Sequence, residues 1–206
     1  MLLYLVRHGE TESNRAGLAL GRADVPLNDR GLEQVKRLGE ALAQERFAAI
    51  YCSPLMRTRQ TADAIAEHHG LAPVTEPGLI EMDIGDADQL PFAEVRARFP
   101  GLLEAWVGAD GPRQPMPGGE RLLDVQERAW RTLKRIATLH EDETVCAVTH
   151  NFVILSLLAT ALGTDLAHFR RIRHSLAAVS QLELKGERIR VRLMNDVCHL
   201  EGRDNH

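Results

Sequence analysis

The chain has 206 residues, of which 44% are hydrophobic and 26% are charged, close to the averages for a globular domain. Its 25 Lys and Arg and 29 Asp and Glu give a net charge of −4, which disfavours nucleic acid and anionic membranes as partners. Three cysteines without a CxxC spacing argue against a disulfide framework or a zinc site. The apolar N-terminal run is too short for a signal peptide, and no run is long enough to span a bilayer. We therefore expect one cytoplasmic domain over residues 1–206.

Strand-like and helix-like segments alternate along most of the chain. Leu2–Val6 is a continuous apolar run of the kind found in strands that are covered on both faces. Ser53 is a good N-cap, and Pro54 is a good first residue, for a helix that Gly70 would end. After the first strand, a helix is predicted over Gly31–Glu45, where Leu32, Val35, Leu38 and Leu42 have helical spacing. A strand over Phe47–Cys52 and a helix over Pro54–His69 follow. The later elements, in chain order, are a helix over Arg121–Leu139, a strand over Thr144–Thr149, a helix over Phe152–Leu162, and a hairpin of Val179–Lys185 with Arg188–Met194.

Residues 86–120 interrupt this alternation. Five prolines punctuate the stretch around two short helical pieces, Phe92–Phe99 and Leu102–Val107. We interpret residues 86–120 as a small cap, inserted after Gly85, rather than as a separate domain. The sequence therefore predicts an α/β fold: a three-layer sandwich with a mostly parallel central sheet, helices on both faces, and this cap.

Reactive side chains follow three of the predicted strands. Arg7 and His8 follow the first strand, Arg57 lies just after the second, and His150 follows the strand Thr144–Thr149. Because the carboxyl ends of parallel strands meet at one edge of such a sheet, we expect these side chains to converge. Two guanidinium groups suit the tetrahedral oxygens of a phosphoryl group better than a single carboxylate. The sequence therefore predicts a phosphoryl-binding site at this edge.

This site becomes catalytic if it also holds a nucleophile and a proton donor. Neutral imidazole is a competent nucleophile near pH 7, and the neighbouring Arg7 and Arg57 oppose its protonation. Either His8 or His150 is therefore a candidate to attack phosphorus. A carboxyl group is then needed to protonate the departing oxygen.

Several short blocks of sequence, which occur in a fixed order, carry a resemblance. They are Leu5–Thr11 with Asn14, Gly21–Asn28 with Gly31 and Gln34, Ser53–Ala62, Leu79–Glu81 with Gly85, Pro117–Glu120 with Arg128, and Val148–His150. With these blocks the chain resembles the histidine phosphatase superfamily, in the branch that contains phosphoglycerate mutase, over nearly its whole length. The order of the blocks makes the resemblance specific, whereas a lone Arg-His-Gly would be weak.

The resemblance implies a role for each reactive residue. His8 would be the nucleophile that becomes phosphohistidine, while Arg7, Arg57 and His150 would bind the phosphoryl group and stabilise its charge in the transition state. No metal and no cofactor are implied, because these three groups supply the positive charge that Mg²⁺ supplies elsewhere.

Glu81 matches the general acid of the family. After the leaving group has departed, Glu81 would act as the base for the attacking water. Four other acids lie near it in the sequence and are alternative proton donors: Glu76, Asp83, Asp86 and Asp88.

Substrate contacts are also implied for Asn14, Gly21 and Asn151. Two departures from the family pattern lie beside the site. The segment Asp86–Gln89 stands where the family often has a Trp-Glu-Gly element, and Asn151 stands where many members have glycine. Both departures affect substrate identity and leave the core chemistry in place.

We therefore expect a phosphatase that hydrolyses a small phosphate monoester. Sugar phosphates, phosphoglycerate-type acids, phosphoserine or phosphothreonine, and α-ribazole phosphate are all compatible with the resemblance. The alternative is a phosphoglycerate mutase, although mutases are usually longer. A second alternative is a catalytically weak module that binds a phosphate ligand, which would tolerate the loss of a site residue. The sequence leaves open whether the chain forms a homodimer.

Two further groups of residues have open roles. Apolar side chains of the cap either form a wall for the non-phosphate half of the substrate or pack the cap down: Phe92, Phe99, Trp106 and Met116. Other histidines lack metal-binding spacing, so we expect solvated or capping roles for His68, His69, His140, His168, His174 and His206.

Overall fold

In the computed structural model, which describes residues 1–201, a six-stranded sheet forms the centre of the fold. Its spatial order is β3-β2-β4-β1-β5-β6. The first four strands along the chain pair in parallel, and the last two are added antiparallel at one side. The strands are β1 Leu2–Arg7, β2 Ala49–Cys52, β3 Val74–Thr75, β4 Thr144–Thr149, β5 Val179–Lys185 and β6 Arg188–Asp196.

Helices cover both faces of the sheet. Along β1 the side chains alternate, so that Leu3 and Leu5 pack with α6 and α7 while Tyr4 and Val6 pack with α2 and α3 on the other face. The predicted α/β sandwich is therefore confirmed, with a sheet that the terminal hairpin makes mixed. The helices are α1 Glu12–Arg15, α2 Asp29–Leu42, α3 Met56–Ala66, α4 Phe92–Arg98, α5 Leu102–Val107, α6 Leu122–Leu139 and α7 Asn151–Ala161.

Two local predictions are wrong. Helix α3 begins at Met56 rather than at Pro54, and Ser53 does not cap it, because its hydroxyl lies 2.7 Å from Nε2 of His150 instead. Leu32 is 46% exposed, although the neighbouring Val35 is buried. Leu32 lies roughly 120° around the helix from the buried Leu38 and so falls outside the buried face. His206 and the end of the predicted domain lie outside the described residues.

The register of the parallel strands aligns their carboxyl ends. Arg7 at the end of β1 pairs with Thr149 of β4, and Cys52 at the end of β2 pairs with Val148. The residues that follow these strands therefore start from the same edge of the sheet, which is where ligands bind in folds of this kind.

The two ends of the cap lie side by side. The amide of Asp86 donates to the carbonyl of Pro117 at 2.8 Å, and the amide of Glu120 donates to the carbonyl of Asp83 at 2.8 Å. Gly85 has a φ of +52°, and a Cβ at this position would lie 2.1 Å from the Pro117 oxygen. Only glycine fits there, because any side chain would collide with the backbone that returns from the cap.

Among the helices of residues 1–201, none combines the length and the apolar character that crossing a bilayer requires.

Candidate active site

His8 and His150 form the centre of the candidate site. His8 follows β1, His150 follows β4, and their ring centroids are 5.2 Å apart. Both side chains are buried. Nδ1 of His8 lies 2.7 Å from the carbonyl oxygen of Gly9, which can only accept, so Nδ1 carries the proton and donates it. Nε2 of a neutral His8 is left with its lone pair free to act as a nucleophile.

Ser53 contacts the buried ring of His150. The hydroxyl of Ser53 accepts from the amide of Leu55 at 3.4 Å and lies 2.7 Å from Nε2 of His150. We assign the hydroxyl proton to the contact with Nε2, which leaves the proton of a neutral His150 on Nδ1. Nδ1 is buried and has no hydrogen-bond partner within residues 1–201. The sequence indicated Ser53 only as a helix cap, so this role was missed.

Two arginines, Arg57 and the half-buried Arg7, bring positive charge to the same edge. Arg57 is fully buried and donates through Nη1 and Nη2 to the carbonyls of Ala23 and Gly21, at 2.8 and 2.7 Å. Arg7 donates through Nη1 to the carbonyl of His174 at 2.5 Å. These carbonyls orient the guanidinium groups without neutralising their charge. The buried Nε atoms of both arginines have no partner in the described part of the chain, so both can donate to an anion.

The surroundings keep the histidines neutral. Burial, followed by the charges of Arg57 and Arg7, holds the pKa of His8 well below its ordinary value of 6.5. Burial, Arg57 and His8 do the same for the pKa of His150. Burial lowers the pKa of Arg7 to about 10, so its guanidinium stays charged at neutral pH. The site therefore combines neutral imidazoles with positive guanidinium groups, as the sequence predicted.

Glu81 brings a carboxyl group to the same cavity. It is buried, and it lines the same cavity of about 430 Å³ as His8, Arg7 and Asn14. Its Oε1 accepts from the amide of Met82 at 2.8 Å, and its Oε2 accepts from the amide of Phe152 at 3.3 Å. Burial raises the pKa of Glu81, although the Met82 amide and Arg57 oppose the shift. A raised pKa suits a group that must deliver a proton near neutral pH.

A charged cluster holds the backbone of Glu81 in place. The carbonyl of Glu81 accepts from Nε of Arg22 at 3.2 Å and from Nη2 of Arg128 at 3.0 Å. Glu120 lies between the two arginines, with ion pairs of 2.8 and 3.3 Å. We call Arg22, Glu120 and Arg128 the Glu81 clamp. All three residues lie in the motif blocks of the sequence, but no role was predicted for them.

The alternative acids have other partners. Glu76 pairs with Arg135, and Asp83 pairs with Arg22 and accepts from the amide of Gly85. Among the four alternatives and Glu81, only Glu81 lines the cavity in the part of the chain that the structure describes. The geometry therefore supports Glu81 as the proton donor.

The three expected substrate contacts fall in different places. Asn14 and Asn151 line the cavity. Oδ1 of Asn14 accepts from the amide and the hydroxyl of Thr11, at 3.2 and 2.9 Å, so its NH2 group is available to donate. Gly21, like Arg57 and His150, is not among the residues that line the cavity, and its carbonyl and amide are taken by Arg57 and Asp88. Gly21 therefore positions Arg57, and its contact with substrate stays a prediction.

The segment Asp86–Gln89, which departs from the family pattern, holds the loop that contains Gly21 and Ala23. The carboxylate of Asp88 accepts from the amides of Gly21 and Ala23, at 2.9 and 2.8 Å. The carbonyls of these two residues hold Arg57. Asp88 therefore fixes the loop that orients the phosphoryl-binding arginine.

The prediction of a solvated or capping role is wrong for His174. Its side chain is buried, its Nε2 lies 2.9 Å from Oγ of Ser180, and burial lowers its pKa to about 4. Its carbonyl is the partner of Arg7. No local signal in the sequence indicated this contact, which joins residues 167 positions apart.

Comparisons with known proteins agree with this geometry. Residues 3–197 match the model of the histidine phosphatase superfamily (branch 1). Phosphoserine phosphatase 1 of Hydrogenobacter thermophilus is 33% identical over 198 residues, which cover 96% of this chain and 93% of that protein. The probable phosphoglycerate mutase GpmB of Proteus mirabilis is 33% identical over 184 residues, which cover 88% and 84%.

A solved structure, that of Bacillus stearothermophilus YhfR, is similar with a TM-score of 0.92 and 33% identity, covering 97% of this chain and 99% of that one. The resemblance in the motif blocks is thus confirmed by the family model, by curated relatives and by the fold. The chain is an enzyme that belongs to branch 1 of the histidine phosphatase superfamily.

Proposed function

We propose that this chain is a phosphatase that hydrolyses a small phosphate monoester through a phosphohistidine on Nε2 of His8. One observation carries the proposal. The free Nε2 of His8 lies beside buried donors that have no partner within residues 1–201, which are Nε of Arg7, Nε of Arg57 and Nδ1 of His150. A phosphoryl group would give each of these donors an acceptor oxygen.

In the first step, Nε2 of His8 attacks phosphorus, and the bond between phosphorus and the ester oxygen breaks. Glu81, whose protonated form burial favours, gives its proton to the departing oxygen. Arg7, Arg57 and the Nδ1–H of His150 stabilise the charge that spreads over the equatorial oxygens.

In the second step, the carboxylate of Glu81 takes a proton from water, whose oxygen attacks phosphorus. The bond between phosphorus and Nε2 of His8 breaks, so that inorganic phosphate leaves and both residues return to their starting states. These steps need no metal, because two guanidinium groups supply the positive charge and the Nδ1–H of His150 adds a hydrogen bond.

We favour hydrolysis over return of the phosphoryl group to the product. Relatives carry both phosphatase and mutase names. The cap spans only residues 86–120, and mutases usually have extra sequence there. The core site residues are all present, which does not favour a module that only binds phosphate.

The test is phosphate release from p-nitrophenyl phosphate by the wild type, His8→Ala and His68→Ala, with and without EDTA. We expect His8→Ala to lose at least roughly 10³-fold in kcat and to lose the acid-labile phosphoenzyme. His68 is exposed and is the matched control, which should keep wild-type activity. Near-normal turnover by His8→Ala, or a requirement for divalent metal, would overturn the mechanism. Interconversion of phosphoglycerates without release of phosphate would identify a mutase.

A further inference from the structure

Most of the side chains that line the cavity of His8 and Glu81 are apolar. Because these apolar side chains and Glu81 line one cavity, a group attached to the departing oxygen would meet them. We call this apolar part the cap pocket, and six side chains define it: Phe92, Leu103, Trp106, Met116, Phe152 and Phe169.

Aromatic packing keeps the wall of the cap pocket in shape. The ring of Trp106 meets the rings of Phe152 and Phe169 edge-on, with centroids 5.1 and 5.3 Å apart. These rings come from three separate elements, α5, α7 and the 3₁₀ turn Leu166–Arg171. The wall is therefore preorganised and does not depend on one flexible segment. Phe92 is 50% exposed, which places it at the solvent side of the pocket.

The charges around the pocket disfavour amino-acid phosphates. Within residues 1–201, Glu81 is the only acidic side chain that lines the cavity, and the mechanism uses it. The ammonium group of a phosphoserine would therefore enter without a counter-charge, which is costly in an apolar site. Arg7 is assigned to the phosphoryl group, so within residues 1–201 the remaining cation that lines the cavity for a phosphoglycerate carboxylate is Arg170, which is exposed to solvent.

One polar atom in this wall has no partner. Nε1 of Trp106 is buried and makes no hydrogen bond in the described part of the chain. The side chain of Trp106 is only 7% exposed, so water satisfies this donor poorly. The phenylalanine rings against which Trp106 packs offer no strong acceptor. An acceptor on a bound ligand would remove the penalty.

Resting on the proposed function, we propose that the cap pocket binds the leaving group, and that the substrate is the phosphate ester of a lipophilic alcohol that bears a hydrogen-bond acceptor for Trp106. The apolar body fills the space between the three aromatic rings. The hydrolysis then releases the free lipophilic alcohol and inorganic phosphate.

The first test compares kcat/KM for release of phosphate from 2-phenylethyl phosphate, ethyl phosphate and phosphoserine. The two alcohols have similar leaving oxygens, so their difference reports the pocket and not the chemistry. We expect 2-phenylethyl phosphate to exceed ethyl phosphate by roughly 10- to 100-fold, as burial of a phenyl group predicts. Equal values for the two esters, or a preference for phosphoserine, would overturn the proposal.

Variants locate the preference in the cap pocket. Trp106→Ala and Phe92→Ala should each reduce the 2-phenylethyl preference, the first by at least about tenfold, and leave ethyl phosphate within about twofold of wild type. Val107, 51% exposed on the same helix, provides the control Val107→Ala, which should keep the preference. Phe92→Ala removes an exposed ring, so it still tests the pocket if Trp106→Ala fails to fold.

The acceptor is tested with the three methoxy isomers of 2-phenylethyl phosphate. At least one isomer should exceed the parent ester by roughly threefold to tenfold, as one hydrogen bond predicts, and Trp106→Phe should abolish that gain. No gain for any isomer would overturn the role of Nε1. If all the esters are hydrolysed at the same rate and this activity requires His8, only the cap-pocket proposal is overturned. If none of the esters is hydrolysed, the proposed function is overturned.

Discussion

Measured as kcat/KM, which covers the steps up to departure of the alcohol, replacement of Glu81 by glutamine should separate proton donation from phosphoryl binding and from the later attack of water. Glutamine has the same shape but cannot give a proton to the departing oxygen. For ethyl phosphate, whose alkoxide needs that proton, we expect kcat/KM to fall by about 10²- to 10⁴-fold. For p-nitrophenyl phosphate, whose leaving group departs without protonation, the loss should stay below about tenfold.

The structure indicates that Glu81→Gln will still fold. The glutamine oxygen can keep the 2.8 Å bond from the Met82 amide, while its NH2 group loses the 3.3 Å bond from the Phe152 amide. Loss of one hydrogen bond costs about 1 kcal/mol. Removal of a buried carboxyl group, whose charged form burial disfavours, offsets part of that cost.

The assay measures initial rates for both esters with wild type, Glu81→Gln and Glu104→Gln. Glu104 is exposed on α5 and should behave as wild type. Urea unfolding of each variant shows whether a loss of activity reflects a loss of folded protein. Equal losses on the two esters would refute the assignment of Glu81 as general acid, and so would wild-type activity on ethyl phosphate.

Two further predictions concern the histidines. Ser53→Ala should lower kcat/KM by roughly threefold to tenfold, because Nε2 of His150 loses its hydrogen bond to the hydroxyl. The control is Ser156→Ala, because the hydroxyl of the buried Ser156 bonds only to a carbonyl of its own helix, α7. Equal effects in the two variants would count against this role of Ser53. As the pH falls below 6.5, the imidazoles of the unfolded chain take up protons, whereas His8 and His150 in the folded chain stay neutral. Proton uptake therefore stabilises the unfolded state. Each of the two histidines should lower the free energy of unfolding by roughly 1 kcal/mol between pH 7 and 5.5. The check is urea unfolding of the Glu81→Gln variant at several pH values, because in this variant proton uptake by Glu81 cannot offset the loss. A free energy of unfolding that does not change with pH would show that the histidines are not held neutral.

The parts of the fold that were predicted well are those with local signals. Leu2–Val6 and Thr144–Thr149 are apolar on both faces, and the structure places β1 and β4 there. Strand β3 has only two residues, both exposed, so it left no pattern to read. The start of α3 was mispredicted because the hydroxyl of Ser53 contacts His150, and no pattern within one segment reveals that contact.

In the candidate site, too, the residues with local sequence signals were predicted and those with long-range contacts were not. Arg7, His8 and His150 could be brought together from the sequence because parallel strands end at one edge. The Glu81 clamp could not be assigned, because its hydrogen bonds join Arg22 and Arg128 to a carbonyl 59 and 47 residues away. Such contacts depend on how the cap ends meet the sheet, which local periodicity does not specify.

The adjacent ends of the cap have a consequence for how this enzyme can change. Two backbone hydrogen bonds join the ends of the cap, Asp86 to Pro117 and Glu120 to Asp83, so the insert between Asp86 and Pro117 forms a closed loop on a fixed base. Doubling the length of such a loop adds only about 0.6 kcal/mol of closure entropy. A new insert can therefore be exchanged for the old one while Glu81, held from outside the loop by Arg22, Glu120 and Arg128, stays in register with His8. In this architecture, the choice of leaving group can evolve separately from the phosphoryl chemistry.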